Sequence, residues 1–358
     1  MNFPSNTLEF RNYVYRYEIV KNMAYDFMPE HICAKPHSRG KEKLIKADYP
    51  NKPIYLDAVN LSLTNPQKII AFCDCYGLFQ PSGKDMSSAM DINLFYQCII
   101  IIKSLFHVHE NLHDKTNGST PDILLQYLLT LLSSRYPLDL ILTIAPDSSP
   151  RNYILPCIEN TGNTFQLLGN LINNLIPQSQ IPELTFSRPF SDAPSDVQKD
   201  LEKFITELEK EKISFSIDKY GMFSLPQNFK FTATLKDTLY AIAPKILAWR
   251  IQELLKDVCH EFLTNAQGKF TLHWKINTLF EYMVLALAFD FSDSYYYARC
   301  QNINCGYLYI PTKAGISKYC CKECRDAVSQ RNRTKKKKEN LQQTENNATL
   351  PTPPDTTA

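Results

Sequence analysis

The sequence predicts an α-rich α+β body followed by a C-terminal treble-clef-like zinc finger and a basic helix. Three observations carry this. The long apolar stretches recur mostly at helical spacing, five of the eleven cysteines fall between residues 300 and 324, and positive charge is concentrated just beyond them. With 358 residues, 44% hydrophobic and 21% charged, the chain has the composition of a globular protein and enough apolar content for a large core. The longest apolar run, "CIIIIKSLF" from Cys98, is cut by Lys103, so no membrane span is expected. The opening "MNFPSNTLEFRNYVYRYEIVKN" lacks an apolar h-region, and a cytoplasmic protein is the expectation.

Four segments are expected: 1–52, 53–297, 298–338 and 339–358. The first, aromatic and weakly periodic with a basic patch "KPHSRGKEKLIK", is left unassigned. The body, 53–297, opens more clearly. Asn65 followed by Pro66 reads as an N-cap and first helical residue, Ile69, Ile70, Cys73 and Tyr76 as a buried stripe, and Gly77 as the stop. Two further helices are expected at about 88–112 and 121–134. The stretch 138–158 reads as short strands around a turn. The Pro/Ser-rich loop "QIPELTFSRPFSDAPSD" ends in a capping box, Ser195 with Gln198, that starts another helix. "ISFSIDKYGMFSLPQNFKFTATL" alternates as a hairpin does. Long apolar helices are then expected at 236–265, kinked or split at Pro244, and at 271–290, with Trp249 and Trp274 as core aromatics. Residues 339–358, rich in Asn, Gln, Thr and Pro, read as a disordered tail.

Between body and tail lies "RCQNINCGYLYIPTKAGISKYCCKECR". In a reducing compartment, clustered cysteines point to metal more than to disulfides. Cys300 and Cys305 are separated by four residues, Gly306 follows at once, and Cys320 and Cys324 form a second close pair. One structural Zn²⁺ needs four soft ligands in a closed tetrahedral shell, and two such pairs supply them. The glycine lets a knuckle turn tightly. "YLYI" is a strand, "PTKAGISK" a turn, and the second pair sits at the start of a helix. Cys321 is the alternative to Cys320, since either could pair with Cys324. Arg299, Lys318, Lys322 and Arg325 would ease the −2 charge of a four-thiolate zinc site. A core of Tyr307, Tyr309 and Tyr319 is too small to fold so short a segment without the metal.

The arrangement C-x4-C-G followed by Y-C-C-x-x-C-R and a basic helix resembles the C-terminal zinc finger of bacterial CGNR-type proteins. It is also similar to related bacterial proteins whose finger ends Y-C-S-x-x-C-R. CGNR-type proteins join an α-rich N-terminal domain, often called ABATE, to this finger. "PIYLDAVNLSLTNPQKIIAFCDCYGLF" and "INTLFEYMVLALAFDFSDSYYYARCQNINCG" are similar to the beginning and end of that domain. Here Arg325-Asp326-Ala327 stands where the family has Gly-Asn-Arg, and Tyr319-Cys320-Cys321 where it has Trp-Cys-Ser. The resemblance implies a DNA-binding, transcription-related role.

Residues 322–338 carry a local excess of six positive charges although the net charge of the chain is only +2. A cationic helix anchored by metal attracts nucleic acid, DNA before RNA, through Arg325, Arg331, Arg333, Lys335, Lys336, Lys337 and Lys338. Gln330, Asn332 and the arginines are the expected readers of base edges, the lysines contacts to phosphate. A zinc-stabilised protein–protein adaptor is the alternative, and the body would sense a ligand or mediate oligomerisation.

A third reading comes from "HVHENLH". His109, Glu110 and His113 spell the zinc-metalloprotease HExxH, whose histidines share a helix face. It lacks the extended continuation, with Thr116 at the glycine position, and lies at a helix end where histidines are favoured by the dipole alone. No catalytic residue is therefore assigned. Cys73 and Cys75 point to different helix faces, and Cys33, Cys98, Cys157 and Cys259 are scattered.

Overall fold

The structure is a computed structural model. It describes residues 8–20, 30–46, 53–79, 89–113, 120–133, 193–211, 216–217, 220, 222–225, 229–264, 270–293, 297–311 and 318–348. The chain is helix-rich with small sheets and divides into two compact units. Met1–Ala47 with Pro53–Ser294 form the first, Asp48–Lys52 with Tyr295–Ala358 the second.

The first unit is organised around one helix. Helices α1 (Ile54–Asn60), α2 (Pro66–Tyr76), α3 (Ile92–His113) and α4 (Pro121–Ser133) are followed by α5 (Ser195–Lys210), α6 (Ala233–Leu254) and α7 (Leu279–Asp293). α3 packs against α1, α4, α6 and α7. Its Phe95, Cys98, Ile99, Ile101, Ile102, Leu105, Phe106 and Val108 are wholly buried, as befits a helix apolar on all sides. Contrary to the sequence expectation, Ile92–Leu112 is long and apolar enough to cross a membrane, but 72% of that window is buried inside this unit. Lys103 does not break the run, because its Nζ donates to the Leu61 carbonyl oxygen at 2.6 Å. Burial lowers its amine to about 8.

α2 follows its sequence signals. The Asn65 side chain accepts from the Lys68 N–H, Pro66 opens the helix, and Gly77 closes it. The buried stripe is Ile69, Phe72 and Cys73; Phe72 replaces the expected Ile70, since i, i+3 and i+4 share a helix face and i+1 does not. α4 likewise matches its expected span, and α6 runs unbroken through Pro244. α5 starts at Ser195, with the Gln198 side chain donating to the Ala193 carbonyl.

The unassigned N-terminal segment contributes four strands. β1 (Glu9–Val14) pairs antiparallel with β4 (Lys41–Lys46), and β2 (Tyr17–Val20), β3 (His31–Ala34) and β5 (Ala89–Asp91) form a three-stranded sheet. β1 is fixed to the end of α2 by Asn12, 1% exposed, whose Nδ2 donates to the carbonyls of Tyr76 at 2.7 Å and Leu78 at 3.3 Å. Gly77 is needed there twice over. Its φ is 85°, and a Cβ would lie 2.4 Å from Asn12 Nδ2.

The expected hairpin is present as β6 (Ser216–Ile217) and β7 (Phe223–Ser224). The largest departure comes after α6. Instead of helix through 255–265 and 271–278, β8 (Cys259–Thr264) and β9 (Phe270–Lys275) pair antiparallel, with His260 opposite Trp274. Phe270, Leu272 and Trp274 alternate with Thr271, His273 and Lys275, a period of two that outweighs the apolar content read as helix. α7 then begins at a true capping box: Glu281 N–H donates to Thr278 Oγ1, and Glu281 Oε2 accepts from the N–H of Asn277 and Thr278. Trp249 is buried on α6, whereas Trp274 lies half-buried on β9 against Phe289. The strands expected at 138–158, residues 180–192 of the Pro/Ser-rich loop, Cys157 and residues 349–358 lie outside the described residues.

Candidate metal centre

The second unit is built from β10 (Ala298–Arg299), β11 (Leu308–Tyr309) and α8 (Lys322–Ala348). The two strands form an antiparallel hairpin, with Ala298 opposite Tyr309, and the loop between them is the knuckle that carries the first cysteine pair. Asn302 organises it. The Asn302 carbonyl accepts the N–H groups of Cys305 at 2.8 Å and Gly306 at 3.3 Å, and its Oδ1 accepts the Asn304 N–H at 3.3 Å. Gly306 has φ 60°, while a Cβ there would meet nothing within 4 Å, so only the backbone conformation favours glycine. Cys300 N–H donates to Tyr307 O at 2.9 Å, and Gln301 N–H to Lys318 O at 2.9 Å, which ties the returning chain to the knuckle.

These bonds bring Cys300, Cys305, Cys320 and Cys324 together, with all four sulfurs within 4.8 Å of one another. Cys320 Sγ lies 3.6 Å from Cys305 Sγ and 3.7 Å from Cys324 Sγ. Four sulfurs placed tetrahedrally at about 2.3 Å from one Zn²⁺ stand about 3.8 Å apart. The four are therefore close enough to bind a metal ion, and the sulfur set fits zinc. Cys321 is exposed and outside the group, although its Sγ is 3.8 Å from that of Cys320. Its part is played by the backbone, since its carbonyl accepts the Arg325 N–H at 3.3 Å and so precedes the first turn of α8.

The cluster is electrostatically uneven. Burial pushes the Cys300 thiol up, but hydrogen bonds from the backbone of Cys320 and Asn302 and from the Cys320 and Cys324 thiols outweigh it and hold Cys300 below the usual range. Burial and then the hydrogen bonds to Cys305 and Cys324 drive Cys320 well above it. Cys300 thus leans toward thiolate beside a Cys320 that holds its proton. A divalent cation would draw the remaining protons off, as metal binding to thiols does.

Leu308, Tyr309 and Ile310 are buried, whereas Tyr307 and Tyr319 are only half-buried, so Leu308 and Ile310 replace two of the expected core tyrosines. α8 runs to Ala348, past the expected end at Lys338, because no proline or glycine interrupts it before Pro351. Gln330, Asn332, Arg333, Lys335, Lys336, Lys337 and Lys338 are exposed along it. Arg325 is also exposed and pairs with its neighbour Asp326. Arg331 differs: it is half-buried, and its Nη2 donates to Asn302 Oδ1, joining the helix to the knuckle. Sequence reasoning missed Asn302, although an asparagine at the bend of "QNINCG" is the usual residue for a side-chain-supported turn.

The HExxH residues have other engagements. His109 is buried with its ring stacked on Phe291 at 3.7 Å, and Glu110 Oε2 lies 2.9 Å from His107 Nδ1. His113 is the last residue of α3, and its side chain lies outside the described part. Cys73 and Cys98 are buried, Cys33 half-buried, and Cys75 and Cys259 exposed.

No family model, curated protein or solved structure matches the chain. Fold and site together define a helix-rich protein with small sheets and a C-terminal cluster of four cysteines able to hold a metal ion.

Proposed function

We propose that the C-terminal unit is a treble-clef-like zinc finger of the CGNR type that binds nucleic acid, DNA first, in a cytoplasmic and transcription-related protein. The single observation behind this is the placement of Cys324, one of the four clustered sulfurs, in the first turn of a long cationic helix. A structural zinc at Cys300, Cys305, Cys320 and Cys324 would hold the start of that helix stiffly, and cations exposed along it would meet the phosphate backbone. The cysteines described are all free thiols, in keeping with a reducing compartment.

The test is a titration of the zinc-loaded chain against a labelled random-sequence DNA duplex at several salt concentrations. Each phosphate neutralised contributes about −0.9 to the slope of log affinity against log salt, so binding that uses several of these cations weakens steeply as salt rises. A flat response, or no binding at low salt, overturns the reading.

The adaptor alternative draws on Ile303, 87% exposed at the knuckle tip, an apolar side chain of the kind protein interfaces cover. It predicts no steep salt slope. A metallohydrolase at His109, Glu110 and His113 has the least support, because His107 and Phe291 already engage its first two residues. Zinc retained in His109→Ala but lost in Cys305→Ser argues against that reading.

A further inference from the structure

A groove of about 610 Å³ runs between the knuckle and one side of α8. Asn302 and Asn304 line it from the knuckle, and Gln330, Thr334, Lys335 and Lys338 from the helix. The Arg331–Asn302 hydrogen bond joins the two walls. At 3.6 residues per turn the helix positions share an arc of about 140°, while Arg333 and Lys336 fall on the other side.

The groove has the chemistry of a strand-binding cleft. Lys335 and Lys338 supply positive charge, and Arg331 adds a guanidinium held half-buried in place. The lining residues include no acid, and Glu339, 3.9 Å from Lys335 in an exposed pair, screens that lysine little. The asparagine, glutamine and threonine side chains offer hydrogen bonds to sugar and phosphate oxygens of the kind that set register on nucleic acid. Ile303, between the two groove asparagines in sequence, is the most exposed large hydrophobic residue among those described. Apolar side chains so placed press against sugars or wedge between base steps.

We infer that this groove, not the helix surface at large, receives one sugar–phosphate strand of a nucleic acid, with Lys335 and Lys338 on its phosphates and Ile303 on an adjacent sugar or base. The inference rests on the nucleic-acid reading above and narrows it to one face. The charge run therefore divides into working and idle residues: Lys335 and Lys338 face the strand, Arg333 and Lys336 face solvent.

Two charge-matched double variants of the full zinc-loaded chain test this, K335Q/K338Q and R333Q/K336Q, with Ile303→Ser as a third. All change exposed side chains, and zinc content and circular dichroism confirm folding. K335Q/K338Q weakens binding to the random duplex about tenfold or more and makes the salt slope shallower by about 1.8, while R333Q/K336Q leaves both nearly unchanged. Ile303→Ser lowers affinity several-fold at unchanged slope, because an apolar contact releases no counterion. Equal losses in the two doubles, or a larger loss in R333Q/K336Q, overturn the groove but leave the nucleic-acid reading standing. Absence of binding by the unaltered chain overturns both. An Ile303→Ser variant that binds like the parent removes Ile303 from the contact.

Discussion

The two units reach order by opposite means. The first buries large side chains completely, among them Tyr55, Phe79, Phe95, Phe106, Phe204, Phe280 and Tyr282, and the hydrophobic effect of such a core is enough for a unit of this size. In the second, only Cys300, Asn302, Leu308, Tyr309 and Ile310 are buried among the described residues, and from Lys322 to Glu339 α8 is exposed except at Cys324, Val328 and Arg331. A set that small cannot fold a segment against its chain entropy. We propose that its remaining stability comes from a metal ion held by the four-cysteine cluster, which would set a ligand-driven fold beside a solvent-driven one.

That contrast would break most visibly if the proposed ion were removed. Chelation, or Cys305→Ser, forfeits metal-binding energy on the order of 10–16 kcal/mol. Hydrogen exchange in 298–338 should rise to unprotected rates while the main calorimetric transition of the first unit stays in place. Protection that survives in zinc-free protein would mean the second unit folds on its own contacts. The converse perturbation is Phe106→Ala, which leaves a cavity beside α1 (Phe106 is 6.4 Å from Tyr55, ring to ring) and costs about 3–5 kcal/mol. Denaturant melts report the loss, and zinc stoichiometry should be unchanged. Asn302→Ala is smaller and sharper. It strips partners from Arg331 and the Asn304 N–H without touching a sulfur, costs about 1–3 kcal/mol, and should weaken zinc retention in a competition with a chromogenic chelator.

The most gradual effect lies in the first unit and depends on pH. Lys103 titrates at about 8 when folded because burial disfavours its charge, against about 10.4 in an unfolded chain. Below the folded value both states are protonated and the penalty is constant. Between the two values the unfolded state binds more protons, so stability rises with pH by at most about 1.4 kcal/mol per unit. Lys103→Met should flatten that rise in melting temperature across the same window; an identical profile would show that Lys103 is not the group responsible.

Features set by local chemistry could be read from sequence. The Asn65–Pro66 start and Gly77 stop of α2, the span of α4, the short β6–β7 hairpin and the convergence of Cys300, Cys305, Cys320 and Cys324 all follow from residue types at fixed offsets. What failed depended on partners distant in the chain. The strands of 8–46 alternate only weakly, and β1 is placed by Asn12 reaching across to Tyr76 and Leu78, which no local pattern announces. The β8–β9 hairpin was hidden by its apolar content, yet Thr278-x-x-Glu281 marked a helix start just after it and was legible. Arg331 looked like one more cation in a run. Only the folded knuckle shows that it is committed to Asn302.

That commitment has a mechanical consequence. α8 has 27 residues, a lever of about 40 Å, so a tilt of about 10° at its root would swing the free end by about 7 Å. Cys324 alone would act as a pivot. Arg331, two turns further along, makes a second point of attachment, and a rod pinned twice keeps its bearing.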